Sequence, residues 1–216
     1  YISGEDKDTF LQNLISNDIK KVSETNSCFA SLLTPQGKYL FEFIITKHKK
    51  GYFLECEKKI IDELFIKLNS YKFRSKVEIL NLSNEFVVAV FSREKFLTLE
   101  NSKDVLGYTT KFREDPIYLD PRHKDLGARL ITNLEKLHLS LKLLELKSSN
   151  LDEYYSVSNK LGIPQINTDK LQNNLFGLEA NFEELSAIDF KKGCYIGQEN
   201  TARMKLKNKL RKKLLP

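Results

Sequence analysis

The order of apolar segments in the first 91 residues constrains the fold most. Apolar runs predict strands at residues 28–33, 39–46, 52–55, 77–82 and 86–91. The turn residues Pro35 and Gly37 join the first two runs as a β-hairpin. Residues 58–70 repeat apolar side chains at the helical period, which predicts an amphipathic helix between the third and fourth strands. Strands on both sides of one helix indicate an α+β layer of antiparallel sheet with packed helices.

Two further helices are predicted outside this region. Residues 6–16 carry apolar side chains on one face, and the turn formers Asn17 and Asp18 end that helix. Residues 151–161 form the other helix, which Gly162 stops. The region between them is less regular, and short strands are predicted there at residues 117–119 and 128–131.

Composition excludes several classes of protein. The 41% hydrophobic content is ordinary for a globular chain, and no apolar run approaches the roughly 20 residues that span a bilayer. Three cysteines and three scattered histidines give no C-x-x-C or H-x-x-x-H spacing, so neither a disulfide framework nor a self-contained metal site is expected. We expect a reducing compartment and, from the many Lys, Asn and Ile residues, a bacterial cytoplasmic protein. The first residue is Tyr1 and not Met, so a trimmed start is also expected.

Positive charge is concentrated at the end of the sequence. The net charge is +6, and residues 189–216 hold nine basic against two acidic residues, while the remainder is nearly balanced. Such a field would attract an anionic ligand tail or RNA. The alternative is a solvated segment that leads into a further part of a longer protein.

A cysteine motif at residues 191–203 is the most distinctive stretch. It reads K-K-G-C-Y-I-G-Q-E-N-T-A-R and places Cys194 between two glycines, with a helical pattern after Gly197. We therefore predict a tight turn that leads into a helix. The helix N-terminus and the neighbouring cations Lys191, Lys192 and Arg203 would favour a thiolate. A buried cysteine that acts only as a small hydrophobe is the alternative.

Four phrases of the chain resemble one family. K-G-C-Y-I-G-Q-E followed by T-A-R resembles the signature of the YgfZ family of folate-binding proteins, which are related to the glycine-cleavage T-protein (GcvT-like). F-L-Q-N-L-I-S-N-D-I near the start, D-P-R-H-K-D-L-G-A-R in the middle and Y-Y-S-V-S-N-K-L-G-I-P after it resemble phrases of the same group. The resemblance therefore extends over the whole chain.

The resemblance implies the T-protein fold: two intertwined α+β lobes of antiparallel sheet with helices. The first lobe would be discontinuous, built from residues 1–47 and 134–216, and residues 48–133 would form an inserted second lobe. In the family a small C-terminal β-barrel follows, which here would be absent or truncated. Tetrahydrofolate or a derivative would occupy a central cavity.

The resemblance also implies the folate-binding residues. Glu179, in the phrase F-G-L-E-A, matches the glutamate that grips the pterin, whose ring N–H and amino group suit one carboxylate as a bidentate pair. A capping or surface carboxylate ahead of a helix near residues 182–185 is the alternative role for Glu179. Asp18 and Glu42 would line the cavity. The set of predicted folate contacts is completed by Lys192, Tyr195, Gln198 and Arg203.

One departure from the T-protein enzymes concerns the hairpin after Gly37. These enzymes carry a pair of aspartates there, whereas this chain has Phe41 and Glu42. Proton transfer needs a group within hydrogen-bond reach, which Phe cannot supply and a longer Glu would reach differently. The departure argues against aminomethyl transfer. Glu42 as an exposed strand residue between two phenylalanines is the alternative.

The function implied by the resemblance is assembly or repair of iron–sulfur clusters, which indirectly supports tRNA modification. Cys194 would be the reactive group, acting transiently or sharing ligands with an iron–sulfur protein or assembly factor, because one thiolate cannot hold a cluster alone. A folate-dependent aminomethyltransferase and an RNA- or partner-binding module remain alternatives. In the D-P-R phrase, Asp120, Arg122 and Arg129 are interpreted as a structural ion pair and not an anion site, and His123 as a solvated side chain.

Overall fold

The computed structural model of the chain describes residues 1–207 and 212–215. The prediction about the alternating basic and apolar residues 206–215 therefore lies in part outside the described residues. The strands of the structure are β1 (Ile2–Ser3), β2 (Cys28–Leu33), β3 (Tyr39–His48), β4 (Gly51–Glu55), β5 (Glu78–Ile79), β6 (Phe86–Phe91), β7 (Thr109–Phe112), β8 (Asp115–Leu119) and β9 (Ala128–Asn133). Its α-helices are α1 (Lys7–Leu14), α2 (Ile61–Ser70), α3 (Arg93–Leu97), α4 (Leu134–Leu143), α5 (Leu151–Lys160) and α6 (Gln198–Lys207).

The first sheet has five strands in the order β2-β3-β4-β1-β5. Alternation along β3 divides its side chains between two cores, because successive residues of a strand point to opposite faces. Phe41, Phe43 and Ile45 pack into a core with the apolar faces of α1 and α2. Glu42 and Ile44 point the other way, toward the second sheet.

A β-bulge shifts this alternation at the start of β3. The register between β2 and β3 changes between Leu32 and Leu33, where Leu32 pairs with Phe41 and Leu33 pairs with Tyr39. The bulge turns Tyr39 onto the same face as Ile44, because an extra residue flips the side chains beyond it. The face of the first sheet that is turned toward the second sheet therefore carries Tyr39, Glu42 and Ile44.

The second sheet has four antiparallel strands in the order β6-β9-β8-β7. One of its faces forms a separate apolar core with α3, in which Phe96 and Leu130 are fully buried. Its other face packs against the first sheet around Tyr118 and Phe29. The space between the two sheets is therefore the centre of the molecule.

The predicted α+β class with antiparallel sheets is confirmed, and within the described residues the strands form open sheets and no closed barrel. The helix predicted at residues 6–16 is shorter, and the strand predicted at residues 77–82 contributes only β5. Residues 181–186 form turns, so the helix predicted near residues 182–185 is wrong. The division into lobes at residues 48 and 134 stays a prediction. Its first boundary falls at the end of β3, and β4 and β5 belong to the first sheet.

None of the helices within residues 1–207 and 212–215 is both long and apolar enough to cross a bilayer.

Candidate functional site

Two of the sequence phrases, about 180 residues apart, meet in the structure. Lys192 of the cysteine motif is buried, and its ammonium group donates to the carbonyl oxygens of Gln12 at 2.7 Å, Ile15 at 2.6 Å and Asn17 at 2.9 Å. Gln12 lies in the last turn of α1 and Ile15 and Asn17 follow its end, where a helix leaves its last C=O groups without helical partners. Lys192 therefore ties the cysteine motif to the end of α1.

Further hydrogen bonds hold the same junction. The Ser16 hydroxyl donates to Ala187 O at 2.7 Å, and the Asn17 amide donates to Ser186 O at 2.8 Å. Asp189 accepts the backbone N–H groups of the next turn and forms an ion pair with Lys21 at 2.7 Å. The chain just before the cysteine motif is therefore fixed by both backbone and side-chain bonds.

The environment of Lys192 explains its role. An ammonium group has three donors, and all three are used by these carbonyls. Its charge also lies over the Tyr195 ring, with the nitrogen 5.1 Å from the ring centre. Burial lowers the pKa of Lys192 to about 8. The geometry therefore gives Lys192 a structural bond network and no free donor for a ligand.

The two glycines of the motif differ in their surroundings. Gly197 has φ of +83°, and a Cβ there would lie 2.5 Å from Thr34 O and 3.0 Å from the Cα of Gly37. Only glycine fits this contact with the hairpin turn between β2 and β3. A Cβ at Gly193 would meet no atom within 4 Å among the described residues. Gly197 is therefore required by packing, and Gly193 is not.

Cys194 lies on the surface. It is exposed in an irregular stretch four residues before the start of α6, while Cys28 is buried and Cys56 is half-buried. Burial raises the pKa of the Cys28 and Cys56 thiols to about 12. The predicted turn that leads into a helix is confirmed, and the alternative of a buried Cys194 is wrong.

Two of the three cations expected to favour a Cys194 thiolate are engaged elsewhere. Lys192 donates to the three carbonyls, and Arg203 pairs with Glu199 one turn away at 2.6 Å. The exposure of Cys194 makes it accessible to another molecule. That Cys194 is the reactive group stays a prediction.

A cavity of about 680 Å³ lies between the two sheets. Its walls come from β3, β4, β6 and β9, with α2 and α5 at the sides. Aromatic side chains supply much of the lining, among them Phe29, Phe53, Phe86, Tyr154 and Tyr155. A cavity of this size that combines aromatic walls with polar and charged side chains is typical of a small-molecule site.

A buried ionic network forms one wall of this cavity. Asp120 accepts two bonds from the Arg122 guanidinium, at 2.9 and 2.7 Å, and one from Arg129 at 3.1 Å. Arg129 also donates to Glu55 at 2.8 Å and to the Tyr154 hydroxyl at 2.6 Å. The predicted ion pair in the D-P-R phrase is confirmed, and both arginines additionally line the cavity.

The remaining donors of Arg122 face Gln165 and an aromatic ring. In the amide orientation that satisfies both groups, Gln165 Oε1 accepts from the two terminal nitrogens of Arg122 at 2.9 Å each. The guanidinium also lies over the Phe29 ring at 5.4 Å. The network therefore joins α5 and the loop after it to the second sheet.

Glu42 is the one predicted folate contact that lines the cavity. It is 7% exposed, and its Oε2 atom is buried without a hydrogen-bond partner among residues 1–207 and 212–215. Burial raises the pKa of Glu42 to about 7, although the charge of Arg122 opposes that rise. The alternative of an exposed strand residue is wrong, because the alternation of side chains along β3 turns Glu42 inward.

Two neighbours of Glu42, Tyr39 and Ser31, connect it to its surroundings. Burial, and after it the Glu42 carboxylate, raises the pKa of Tyr39 well above its usual value. Ser31, the cross-strand partner of Glu42, bonds to the Ser16 hydroxyl at 2.9 Å. The junction formed by the two motifs therefore lies against the strand pair that carries Glu42.

The other predicted folate contacts lie away from the cavity lining. Glu179 accepts the backbone N–H of Phe176 at 2.9 Å, and Asp18 accepts that of Lys20 at 3.0 Å, so both cap local turns. Gln198 begins α6 and Arg203 extends from the same helix. None of these four residues lines the 680 Å³ cavity. The same holds for three residues of the cysteine motif, Lys192, Cys194 and Tyr195. The expected position of Cys194 at the cavity rim and of Asp18 in its wall is therefore corrected.

Sequence reasoning missed several polar residues of the cavity. Glu55, Tyr154 and Gln165 are separated along the chain and become neighbours only through the ionic network. The D-P-R phrase was the available signal, because Arg122 and Arg129 hold all three. Their grouping required the pairing of β8 with β9, which the sequence does not specify.

Part of the basic C-terminal charge is neutralised within the protein. Lys205 pairs with Glu183 and Lys213 pairs with Glu184, and both acids belong to the turn after Glu179. The Leu214 backbone also donates to Glu179 O at 3.0 Å. The described end of the chain is therefore bound to the protein surface.

Comparison with known proteins gives a consistent result. No family model matches the chain. The "iron-sulfur cluster assembly factor IBA57 homolog, mitochondrial" of Dictyostelium discoideum is 27% identical, and the alignment covers 100% of this chain and 59% of that protein. The mouse protein "iron-sulfur cluster assembly factor IBA57, mitochondrial" is 28% identical, with 100% and 62% covered. The chain thus spans about three fifths of the length of these curated relatives.

The prediction of a bacterial cytoplasmic protein is wrong, because these relatives, which match over the whole chain, are mitochondrial proteins of eukaryotes. The composition was therefore a poor guide to the compartment.

Among solved structures, the glycine cleavage system aminomethyltransferase T from Bartonella henselae matches with a TM-score of 0.74. The match covers 95% of this chain and 60% of that one at 13% identity, so it speaks for the fold alone. Over its whole length the chain is thus similar to the IBA57 proteins, and its fold is that of the glycine-cleavage T-protein, which confirms the resemblance that its motifs predicted.

Proposed function

We propose that this protein acts in iron–sulfur cluster assembly and that its central cavity binds a reduced folate. The observation that carries the proposal is similarity along the entire chain to proteins named iron–sulfur cluster assembly factors. Through cluster-containing enzymes, this role would indirectly support tRNA modification.

The cavity fits a reduced folate in three respects. Its volume of about 680 Å³ suits a small molecule, and its aromatic walls suit a planar ring. Glu42 offers an unpartnered carboxylate oxygen to ring N–H donors. A reduced folate, when bound, supplies a carrier for one-carbon units. The residues of this chain contribute binding, orientation and exclusion of water.

Cys194 is proposed as the reactive group toward clusters, which are the cargo and not a resident cofactor. A thiolate is the usual ligand of iron–sulfur clusters, and a stable site needs several of them. Among the described residues, no group of three or more His, Cys, Asp and Glu side chains is placed to hold a metal ion. An exposed Cys194 on a fixed loop would therefore share a cluster transiently with an iron–sulfur protein or assembly factor.

The test is complementation of mouse cells that lack IBA57, followed by the activity of cluster-containing enzymes. We expect wild type to restore activity and Cys194→Ser to restore less than about a tenth of it. Gly193→Ala is the matched control, because a Cβ at that adjacent position meets open space. Full restoration by Cys194→Ser would remove the role of the thiol, and failure of all three proteins would contradict the proposed function.

A second candidate function is folate-dependent aminomethyl transfer. The observation that favours it is Glu42, a buried carboxyl group in the cavity with a pKa raised by burial to about 7, which suits a general acid or base. Transfer of a methylene group from an aminomethyl donor to tetrahydrofolate would be measured in vitro. Turnover that Glu42→Gln abolishes would support this candidate, and its absence from wild type would leave cluster assembly.

A further inference from the structure

The second sheet ends in a strand with an unprotected edge. β6 pairs with β9 on one side, and no strand among residues 1–207 and 212–215 lies on its other side. Its sequence, F-V-V-A-V-F, contains no charged residue and no proline, and its pairing with β9 shows no bulge. Edge strands of natural proteins usually carry one of these features, because a free edge is a template for another strand.

The hydrogen bonds of β6 show which backbone groups face this edge. The Leu134 N–H donates to the Glu85 carbonyl at 2.8 Å, which marks these two as a hydrogen-bonded pair. Every second residue from Glu85 therefore points its N–H and C=O toward β9, whereas Phe86, Val88 and Val90 point theirs outward. The Phe86 N–H already donates to a carbonyl within its own turn. Val88 and Val90 are therefore the β6 residues whose N–H and C=O are both free in the described part of the chain.

Apolar side chains surround the free edge. Val88 is 38% exposed and Val90 37%, and both also line the central cavity. The helix α4 packs beside β6 and leaves Leu139 and Leu143 exposed to solvent. Leu151 of α5 lines the same cavity and is exposed as well. Exposed apolar side chains that are grouped around a free edge indicate a surface that binds another protein chain.

We propose that a second copy of the chain occupies this edge, with its β6 antiparallel to the first across a two-fold axis at Ala89. Val88 then lies opposite Val90 of the second copy, and Val90 opposite its Val88. The two four-stranded sheets join into one continuous sheet. Since Val88 and Val90 line the cavity, each copy places these side chains beside the cavity mouth of the other. This inference goes beyond the proposed function and does not depend on folate.

The free backbone groups select this register. Val88 and Val90 of the second copy exchange their N–H and C=O groups, and the two-fold axis repeats the exchange, so all four free groups of each copy are paired. An axis at Val88 would place Val90 opposite Phe86, whose N–H is already used. An axis at Val90 would place Val88 opposite Ser92, whose carbonyl accepts a bond from α3. The axis at Ala89 leaves no free group without a partner.

Charges at the two ends of β6 favour the same pairing. In this register Glu85 falls opposite Arg93 of the second copy, and the contact occurs twice by symmetry. Glu85 is exposed and has no ion pair within residues 1–207 and 212–215. Arg93 binds Asp104 through its Nε and one terminal nitrogen, so its other terminal nitrogen remains for Glu85. A second copy thus supplies both the matching edge groups and the opposite charge.

The first test is sedimentation equilibrium of the full chain over a wide range of protein concentration. We expect a dimer that forms as the concentration rises. Glu85→Lys should raise the dimer dissociation constant about 10-fold, because two attractive contacts with Arg93 become repulsive. Glu63→Lys makes the same charge change at an exposed residue of α2 and should stay within about twofold of wild type.

A disulfide test measures the register directly. Ala89 lies opposite Ala89 of the second copy in a non-hydrogen-bonded pair, where Cα atoms are about 4.5 Å apart and a disulfide can form. In a Cys194→Ser background, oxidised Ala89→Cys should therefore give a covalent dimer on a non-reducing gel. Val87→Cys is the matched control on the same face of β6. Its symmetry mate lies about 13 Å away along the strand, which is too far for a disulfide.

Hydrogen exchange separates a second copy from other occupants. The amide protons of Val88 and Val90 should exchange more slowly as the protein concentration rises, because they become bonded only in the dimer. Protection of these amides in a monomer would show that another segment of the protein covers the edge, and would overturn the proposal. A chain that stays monomeric at every concentration would also overturn it. Equal cross-linking of Ala89→Cys and Val87→Cys would refute the pairing at Ala89.

Discussion

The substitution Glu42→Gln is expected to make the protein more stable at alkaline pH. In the folded state burial raises the pKa of Glu42 to about 7, from 4.5 for an unhindered glutamate. A folded-state pKa above the unfolded value means that the folded protein holds the proton more tightly. The favourable contribution is therefore complete below pH 4.5 and is lost as the pH rises through 7.

The size of the effect follows from this difference. One pKa unit corresponds to about 1.36 kcal/mol, so the shift amounts to about 3 kcal/mol between the two limits. Glu42 is 7% exposed, so solvent screens this value little. A glutamine at the same position carries no titrating group, and its stability should not fall through this window.

The measurement is urea denaturation of wild type and Glu42→Gln at several pH values from 4.5 to 8.5. Other titrating groups cancel in the difference between the two proteins, which should grow by about 3 kcal/mol in favour of the variant. Glu135→Gln, at an exposed residue of α4, is the control. If the stability difference between the two proteins stays constant within about 0.5 kcal/mol over this pH range, Glu42 is not a buried carboxyl group with a raised pKa.

Three other substitutions test the junction and the ionic network. Lys192→Met should destabilise the protein by about 3 kcal/mol in urea denaturation, since three buried carbonyls lose their donor; a loss below about 1 kcal/mol would contradict its structural role. Gly197→Ala should cost about 1 to 3 kcal/mol of stability, because Gly197 has a positive φ and lies close to the hairpin. The control Gly193→Ala should stay within about 0.5 kcal/mol of wild type. Equal effects of the two substitutions on the thermal midpoint would be inconsistent with the packing. Asp120→Asn should cost about 3 to 5 kcal/mol, because two buried arginines lose their shared carboxylate, and an unchanged denaturation midpoint would show that the network is dispensable.

Periodicity predicted the local structure well where one face of an element is buried. The hairpin of β2 and β3 and the helix after Gly197 were expected because alternating apolar residues and turn formers carry their own signal. The helix α4 was not expected. Its leucines are largely exposed, so no clear apolar stripe marks it in the sequence.

The site was less predictable than the fold. Motif resemblance identified Lys192 and Glu179, but in the structure the Lys192 ammonium group and one Glu179 carboxylate oxygen bond to backbone atoms. Glu42 alternates with Phe41 and Phe43 in the regular part of β3, but which of the two faces borders the cavity is a tertiary feature without a sequence signal. Distances between elements, and not residue types, decided which carboxylate remains available.

The cysteine motif was likewise predictable from the sequence only in part. Its long signature correctly indicated the relationship, and Gly197 has a clear packing reason. The sequence could not show that Cys194 lies on the surface, because exposure depends on how residues 186–192 are bound to the end of α1. The structure thus separates the cavity from the thiol, and any joint action needs a partner or ligand that reaches both.

A crystal structure of the protein with bound tetrahydrofolate would test the central claim most directly. The account predicts the ring between the two sheets, with its paired N–H donors within about 3 Å of the Glu42 carboxylate. A ring held by Glu179 beside the cysteine motif, or a cavity that stays empty at saturating ligand, would contradict it.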